Sequence, residues 1–341
     1  MLSRSAQGLY WMGRYLERAQ HLCRLLQLQV EALVDRPVWE IHLGWSRIYN
    51  ALNRQPPFGG IQFDQRDNYT LADSYTLAGD LTFERSNPDS IWNCFALGRE
   101  NARQMRHRIS AEMWICLNLA YLRIQKLSIE DIWKTSPENF YAETVEEIHT
   151  FSGVAATTMY RDEGWHFMQL GRYIERAQLS VALFLAQMAT AKLYQDSPDT
   201  DCTALLRLYH AFDAYDRKHS VEIQPDQVLD LLAADPLLPN SLCRSLDSAA
   251  GELAAIAQGP SASSSAAARR LSGRLQALIR HEWPDRQDWR ALPKPSQSSH
   301  GRLHRLQSRR FPRALILWLK PSTTTSSTSP ATATTAVRSS A

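Results

Sequence analysis

An all-α fold, a multi-helix bundle, is what this sequence predicts, and three observations carry the expectation. Apolar residues recur at three- and four-residue steps through most of the first 280 positions. Nowhere do four or more residues alternate convincingly in the strand manner between turn signals. Finally, GRYLERAQ at 13–20 returns as GRYIERAQ at 171–178, and both copies sit inside helical patterns. Antiparallel neighbouring helices are the packing that such patterns favour.

The elements follow in order. Ser3 is placed to cap a helix over about 4–33, with Leu9, Met12, Leu16, Ala19, Cys23, Leu26 and Val30 as its apolar stripe. A second helix fits 38–54 and stops before PPFGG, where two prolines and two glycines break it. The region 60–86 is less regular, with one short helix expected near 70–79. Asn87 as cap and Pro88 at the first helical position open a helix to about Arg108, and Ser110 precedes another at 111–124. Residues 137–153 and 154–193 read as helical, with Gly153 and Gly164 as interruptions. Shorter helices fit 201–218, 225–233, 241–257 and 267–282.

Residues 1–285 thus form one helical domain, and 286–341 differ in kind. The segment RLHRLQSRRFPRALILWLK is basic and partly amphipathic, and the Ser/Thr-rich end has too little apolar surface to offset the entropy of ordering it. Eight of the 38 Lys/Arg and none of the 35 Asp/Glu lie from residue 294 on. The positive balance therefore belongs to the tail, while the body is acidic on balance, so the overall charge does not argue for a nucleic-acid-binding fold, and a nucleic-acid partner is not expected. No apolar run reaches the roughly 18–20 residues that cross a bilayer, and charges interrupt the first twenty positions where a signal peptide would need an apolar core. A cytoplasmic location is the expectation. Five scattered cysteines without C-x-x-C read as small core residues in a reducing compartment.

On a helical wheel, Met12, Leu16, Ala19, Cys23 and Leu26 form one stripe, matched by Leu170, Ile174, Ala177, Val181 and Phe184 in the second copy. Arg14, Glu17 and Arg18 fall on roughly the opposite face, as do Arg172, Glu175 and Arg176. One reading is a helix packed on one side and solvated on the other. The preferred reading is that Gly13 and Gly171 admit another backbone, and that the charged triplets meet other helices or a partner in a polar network. Arginine suits such a network, or a carboxylate or phosphate ligand, because its fork donates several hydrogen bonds at once.

These blocks, with NPDSIWNCFALGRENARQMRHRISAEMW at 87–114 and GWHFMQLGRYIERAQ at 164–178, resemble the alpha-E domain family, a bacterial all-helical domain of unknown function. The resemblance covers roughly 1–285. It implies a gene neighbourhood of circularly permuted ATP-grasp and transglutaminase-like proteins, hence a protein partner in a peptide-ligating or peptide-modifying system. The motif residues carried over are Arg14, Glu17 and Arg18; Glu100, Asn101, Arg103 and Arg106; and Trp165, Arg172, Glu175 and Arg176.

Other chemistry is thinner. Two E-x-x-H patterns, Glu146–His149 and Glu163–His166, could serve a helical-bundle metal site with further glutamates such as Glu17 or Glu112, but only if the chain reverses between them. Chance placement on a helix surface is the simpler account, and no metal is expected. Arg99, Arg103 and Arg106 share a helix face that could hold a phosphate or carboxylate. With Glu100 they could equally join the repeated triplets in one polar seam, the preferred reading. No P-loop, G-x-G-x-x-G, G-x-S-x-G or H-E-x-x-H is present, so no cofactor is expected. Trp11, Trp92, Trp114, Trp133 and Trp165 read as core or junction residues. The leading expectation is a non-catalytic partner or scaffold, with a homo-oligomer left open. The alternative is an enzyme, one that uses the Arg/Glu seam on an acidic substrate or a bundle metal site, and the residues alone do not decide whether the domain is catalytic.

Overall fold

The computed structural model describes residues 3–57, 70–191, 198–219, 222–258 and 266–283. Residues 284–341 lie outside it, so the basic and Ser/Thr-rich tail expected from 286 on is not among the described residues. The described residues form a multi-helix bundle without a strand. In order the helices are α1 (Ser3–Asp35), α2 (Val38–Ala51), α3 (Thr70–Thr82), α4 (Ile91–Gln104), α5 (Ala111–Gln125), α6 (Ile129–Thr135), α7 (Pro137–Thr158), α8 (Glu163–Ala191), α9 (Pro198–Leu208), α10 (Phe212–Lys218), α11 (Pro225–Ala234), α12 (Leu242–Ile256) and α13 (Ala266–Ala277), with a π-turn at Leu278–Glu282.

Helix starts follow local chemistry. Ser110 and Ser241 accept hydrogen bonds from the amides of Met113 and Arg244, and Pro137 and Pro225 stand in first turns where no amide proton is needed. Ser128 and Asp131 cap α6 reciprocally, a signal that the chain carries but that apolar periodicity does not pick out.

Four expectations change. Asn87 does not cap α4. Its side chain accepts from the Asp89 amide and shapes the turn, and Ser90 caps instead by accepting from Asn93. That helix ends at Gln104, not Arg108, and the turn that follows buries Met105 and Ile109. Gly153 lies inside α7 and Gly164 in the first turn of α8; the break falls between them at Met159–Asp162. There Met159 is buried, and Asp162 accepts from the Gly164 amide at 2.8 Å. Likewise 201–218 is two helices, because His210 takes a left-handed φ of 51°.

The two long helices, α1 and α8, pack together along the middle of the bundle. Around them α4, α7 and α2 lie against α1, and α12 and α2 against α8. Both apolar stripes read from the sequence are buried, from Met12 to Leu26 and from Leu170 to Phe184. What lets the axes run so close is a pair of glycines. A Cβ on Gly13 would collide with the backbone carbonyl of Met168, and one on Gly171 with that of Tyr10. Backbone cannot yield as a flexible side chain can. Gly13→Ala and Gly171→Ala should therefore each lose on the order of 3 kcal/mol of stability through overpacking. Gly153→Ala, which meets nothing within 4 Å, should gain up to about 1 kcal/mol from helix propensity. Chemical denaturation of the three variants checks both signs.

Candidate functional site

Close approach at the glycines brings the charged faces of α1 and α8 into contact. Pairing runs across the helices, not along them. Glu175 accepts from Arg14 Nε at 2.5 Å and from Arg18 Nε at 2.6 Å. Glu17 accepts from Arg172 Nε at 2.9 Å and from Arg176 Nε at 2.5 Å and Nη2 at 3.0 Å. Each carboxylate thus holds the two arginines of the opposite helix. Arg14 also donates to Gln178 at 2.5 Å and lies 4.8 Å over the Trp11 ring. Arg18 pairs with Asp89, which in turn faces Arg54 at 3.6 Å. The face opposite the apolar stripe is therefore not solvated: Arg14, Glu17 and Glu175 are buried.

Burial penalises a charged carboxylate, but the charges and hydrogen bonds of Arg176 and Arg172 outweigh it and hold Glu17 at about 2. Glu175 is lowered for the same reason, with Arg18 and Arg14 overcoming burial. Arg18 and Arg176 are raised, since the carboxylates more than offset their own desolvation.

Of the second sequence block, Asp89 reaches the seam through Arg18, but Glu100, Asn101, Arg103 and Arg106 do not. Glu100 accepts from Arg103 at 2.7–2.8 Å on the exposed side of α4. Arg106 stacks over Trp114 at 5.0 Å, and Arg99 donates to Asn118 at 2.7 Å and lies over Tyr121 and Trp114. The Asn101 carbonyl accepts from the Met105 amide at the end of α4. Arg99, Arg103 and Arg106 are thus already taken up by an amide, a carboxylate and rings. Trp165 sits under Arg161 at 3.5 Å, again away from the seam. Asp89 and Gln178, which are in the seam, went unread in the sequence. Both had a signal, Asp89 as the third residue of the block at 87–114 and Gln178 as the last residue of the repeated ERAQ.

The two E-x-x-H patterns are held apart by different partners. His149 takes hydrogen bonds from Gln20 and Arg24 of α1, whereas His166 pairs with Glu252 of α12 at 2.6 Å. Glu146 lies exposed on α7, Glu163 opens α8, and Glu112 is exposed on α5. No group of three or more His, Cys, Asp or Glu that could hold a metal occurs among the described residues. Cys23 and Cys94 are buried and burial pushes both thiols up, Cys94 to about 12, which removes them as nucleophiles.

A family model, Alpha-E, described as a predicted alpha-helical domain with a conserved ER motif, matches residues 1–311. The chain belongs to the Alpha-E family. It contains E-R pairs at 17–18, 84–85 and 175–176; the first and third lie in the seam, while Glu84 and Arg85 are exposed. Among curated relatives, uncharacterised proteins of Mycobacterium bovis and of one Mycobacterium tuberculosis strain are each 26% identical over 301 residues, covering 83% of this chain and 33% of the relative. A protein of a second M. tuberculosis strain is 25% identical over the same share. The chain therefore spans about a third of the length of the curated relatives it matches. No solved structure matches it. No helix among the described residues of this Alpha-E protein is long and apolar enough to cross a membrane.

Because Glu17 is held near 2 when folded and titrates near 4.5 when free, its pairing stabilises the domain above about pH 4.5. That contribution is lost as pH falls toward 2. Glu175 is lowered too and acts in the same direction. Urea unfolding should show stability falling steeply from pH 5 to pH 2. In Glu17→Gln the fall should be shallower, from a starting point about 3–5 kcal/mol lower at pH 7, because two buried guanidiniums lose their counter-charge.

Proposed function

We propose that the Alpha-E domain takes an acidic substrate at the Arg/Glu seam. One observation supports this reading above the rest. Arg14, Arg18, Arg172 and Arg176 converge on two carboxylates, Glu17 and Glu175. The third acid, Asp89, is shared with Arg54. Surplus positive charge held in a poorly solvated place is costly unless an anion completes it. The ligand has to come to the solvent edge of the seam. A crevice of about 20 Å³ beside Gly13, Glu17 and Arg172 has room for roughly one water and no more. On this reading the repeated GRY-x-ERAQ segment is one device used twice, and the family's ER motif is the pair of seam carboxylates with their neighbouring arginines.

A second reading has its own support. Ile115, Leu119 and Leu122 are exposed on α5 at successive helical turns, and Leu97 is exposed on neighbouring α4. Such a stripe suits a protein partner. The ATP-grasp-like and transglutaminase-like proteins implied by the family resemblance are the candidates, with this domain as their scaffold. A homo-oligomer would use the same stripe.

Titration calorimetry of the full chain with triglutamate and with trilysine tests the first reading. Binding of triglutamate and not of trilysine, weakening as salt rises, is expected; no heat with triglutamate or with inorganic phosphate in its place would contradict it. For the second, Leu119→Glu should abolish copurification of a coexpressed ATP-grasp-like protein from the same bacterium, and unchanged copurification would count against the stripe.

A further inference from the structure

Beyond the paired arginines of the seam stands one that no carboxylate meets. Arg24 lies on α1 below the ERAQ segment, half-buried, and its Nε is shut from solvent with no hydrogen-bond partner. Its Nη2 donates to His149 Nε2 of α7 at 3.1 Å, an imidazole nitrogen that Gln20 also approaches at 2.8 Å. Arginine only donates, so His149 Nε2 must accept and the ring is neutral, with its proton on Nδ1. Gln20 is buried, and its amide oxygen has no partner either.

From the turn after α9, His210 adds a third basic group, held by its left-handed backbone. Both histidines are exposed, so the corner opens to solvent. The charges acting here are lopsided. His149 is lowered by burial and then by Arg24, His210 and Arg172, with Glu17 opposing. His210 is lowered by burial and by Arg24. Arg24 itself is brought down to about 10 by burial and by Arg176 and Arg172, again with Glu17 opposing. Glu17 is already committed to Arg172 and Arg176. By contrast, the larger cleft of about 260 Å³ along α1 and α2 carries charges that are matched, Arg36 with Glu40 at 3.3 Å and Arg207 near Glu31 at 3.9 Å.

We infer that Arg24, His149 and His210, with Arg172 at their edge, form a binding site for an oxyanion, a phosphate or a carboxylate, where α1, α7 and the α9–α10 turn meet. This rests on the acidic-substrate reading and gives it an address. The two Nη groups of Arg24, one of them released when His149 takes up a proton, supply a fork that fits two oxygens at once. On binding, His149 takes up a proton and turns from acceptor to donor. The anion's charge stabilises that imidazolium, so the ligand and the proton bind together. Glu17 stays with its two arginines.

The test uses the full chain at constant ionic strength, with inorganic phosphate and triglutamate as separate probes. Calorimetry gives the affinity, and proton NMR follows the ring signals of His149 and His210 from pH 5 to 8. Expected are a rise in the His149 titration midpoint on adding the bound probe and binding at least tenfold tighter at pH 5.5 than at pH 7.5. Arg24→Gln, folded by circular dichroism, should weaken binding at least tenfold, and His210→Ala by less. Response to phosphate alone identifies a phosphoryl ligand, and response to triglutamate alone a carboxylate; either supports the site. If triglutamate binds wild type and Arg24→Gln equally and the histidine signals stay still, this site is wrong while the acidic-substrate reading stands. If neither probe binds the wild-type chain, both fall.

Discussion

The backbone contact between α1 and α8 at Gly13 and Gly171 is the constraint from which the rest of the structure follows. With a Cβ at either position the helices must separate, and arginines that now reach across to Glu17 and Glu175 would fall short or admit water. The exchange is reciprocal. Each helix contributes one carboxylate and two guanidiniums to the other, so neither face is satisfied alone. Buried ion pairs of this sort add little net stability over a well-packed apolar contact, yet breaking one is expensive. Their physical effect is to fix register: sliding α1 by one turn along α8 would break four ion pairs at once.

That register also determines what is left over. Arg24 is nearly two turns beyond Arg18 on α1, past the last carboxylate that α8 offers. It meets His149 and the field of His210, both of which would carry like charge if protonated. A neutral His149 that accepts from Arg24 is the arrangement of lowest repulsion without an anion. The seam and the basic corner are thus consequences of one geometry. The first uses up the carboxylates, and the second is where positive charge remains unmatched at the surface.

Much of the fold was legible in the sequence. Periodicity located α1, α2, α5, α11 and α12 to within a few residues and found α7 and α8 but placed the boundary between them at 153–154, ahead of the break at Met159–Asp162; both core stripes were named correctly, because local apolar spacing is a property of the chain alone. The helix ends were less legible where a tertiary contact decided them. Met105 and Ile109 end α4 by turning into the core, and His210 divides α9 from α10 without a proline or glycine to announce it. Of the seam, the glycines and charged triplets could be picked out, since a repeat singles out its own residues. Their cross-pairing could not, because the partners of Glu17 lie 155 and 159 residues away. The same limit led Glu100 and Arg103 to be grouped with the seam when they simply pair with each other, an i,i+3 contact that the spacing itself allowed. Arg24 carried no motif at all. It matters because of what fails to stand opposite it, and only the folded chain shows that.

A double-mutant cycle between Arg14 and Glu175 tests the cross-paired seam most directly. Urea unfolding at pH 7 of wild type, Arg14→Met, Glu175→Gln and the double variant gives the coupling between two residues 161 positions apart. The seam predicts a coupling of about 2 kcal/mol or more, with the double variant far less damaged than the sum of the single ones. Additivity within about 0.5 kcal/mol would mean that the two side chains do not hold each other, and that something other than reciprocal ion pairing keeps α1 and α8 in register.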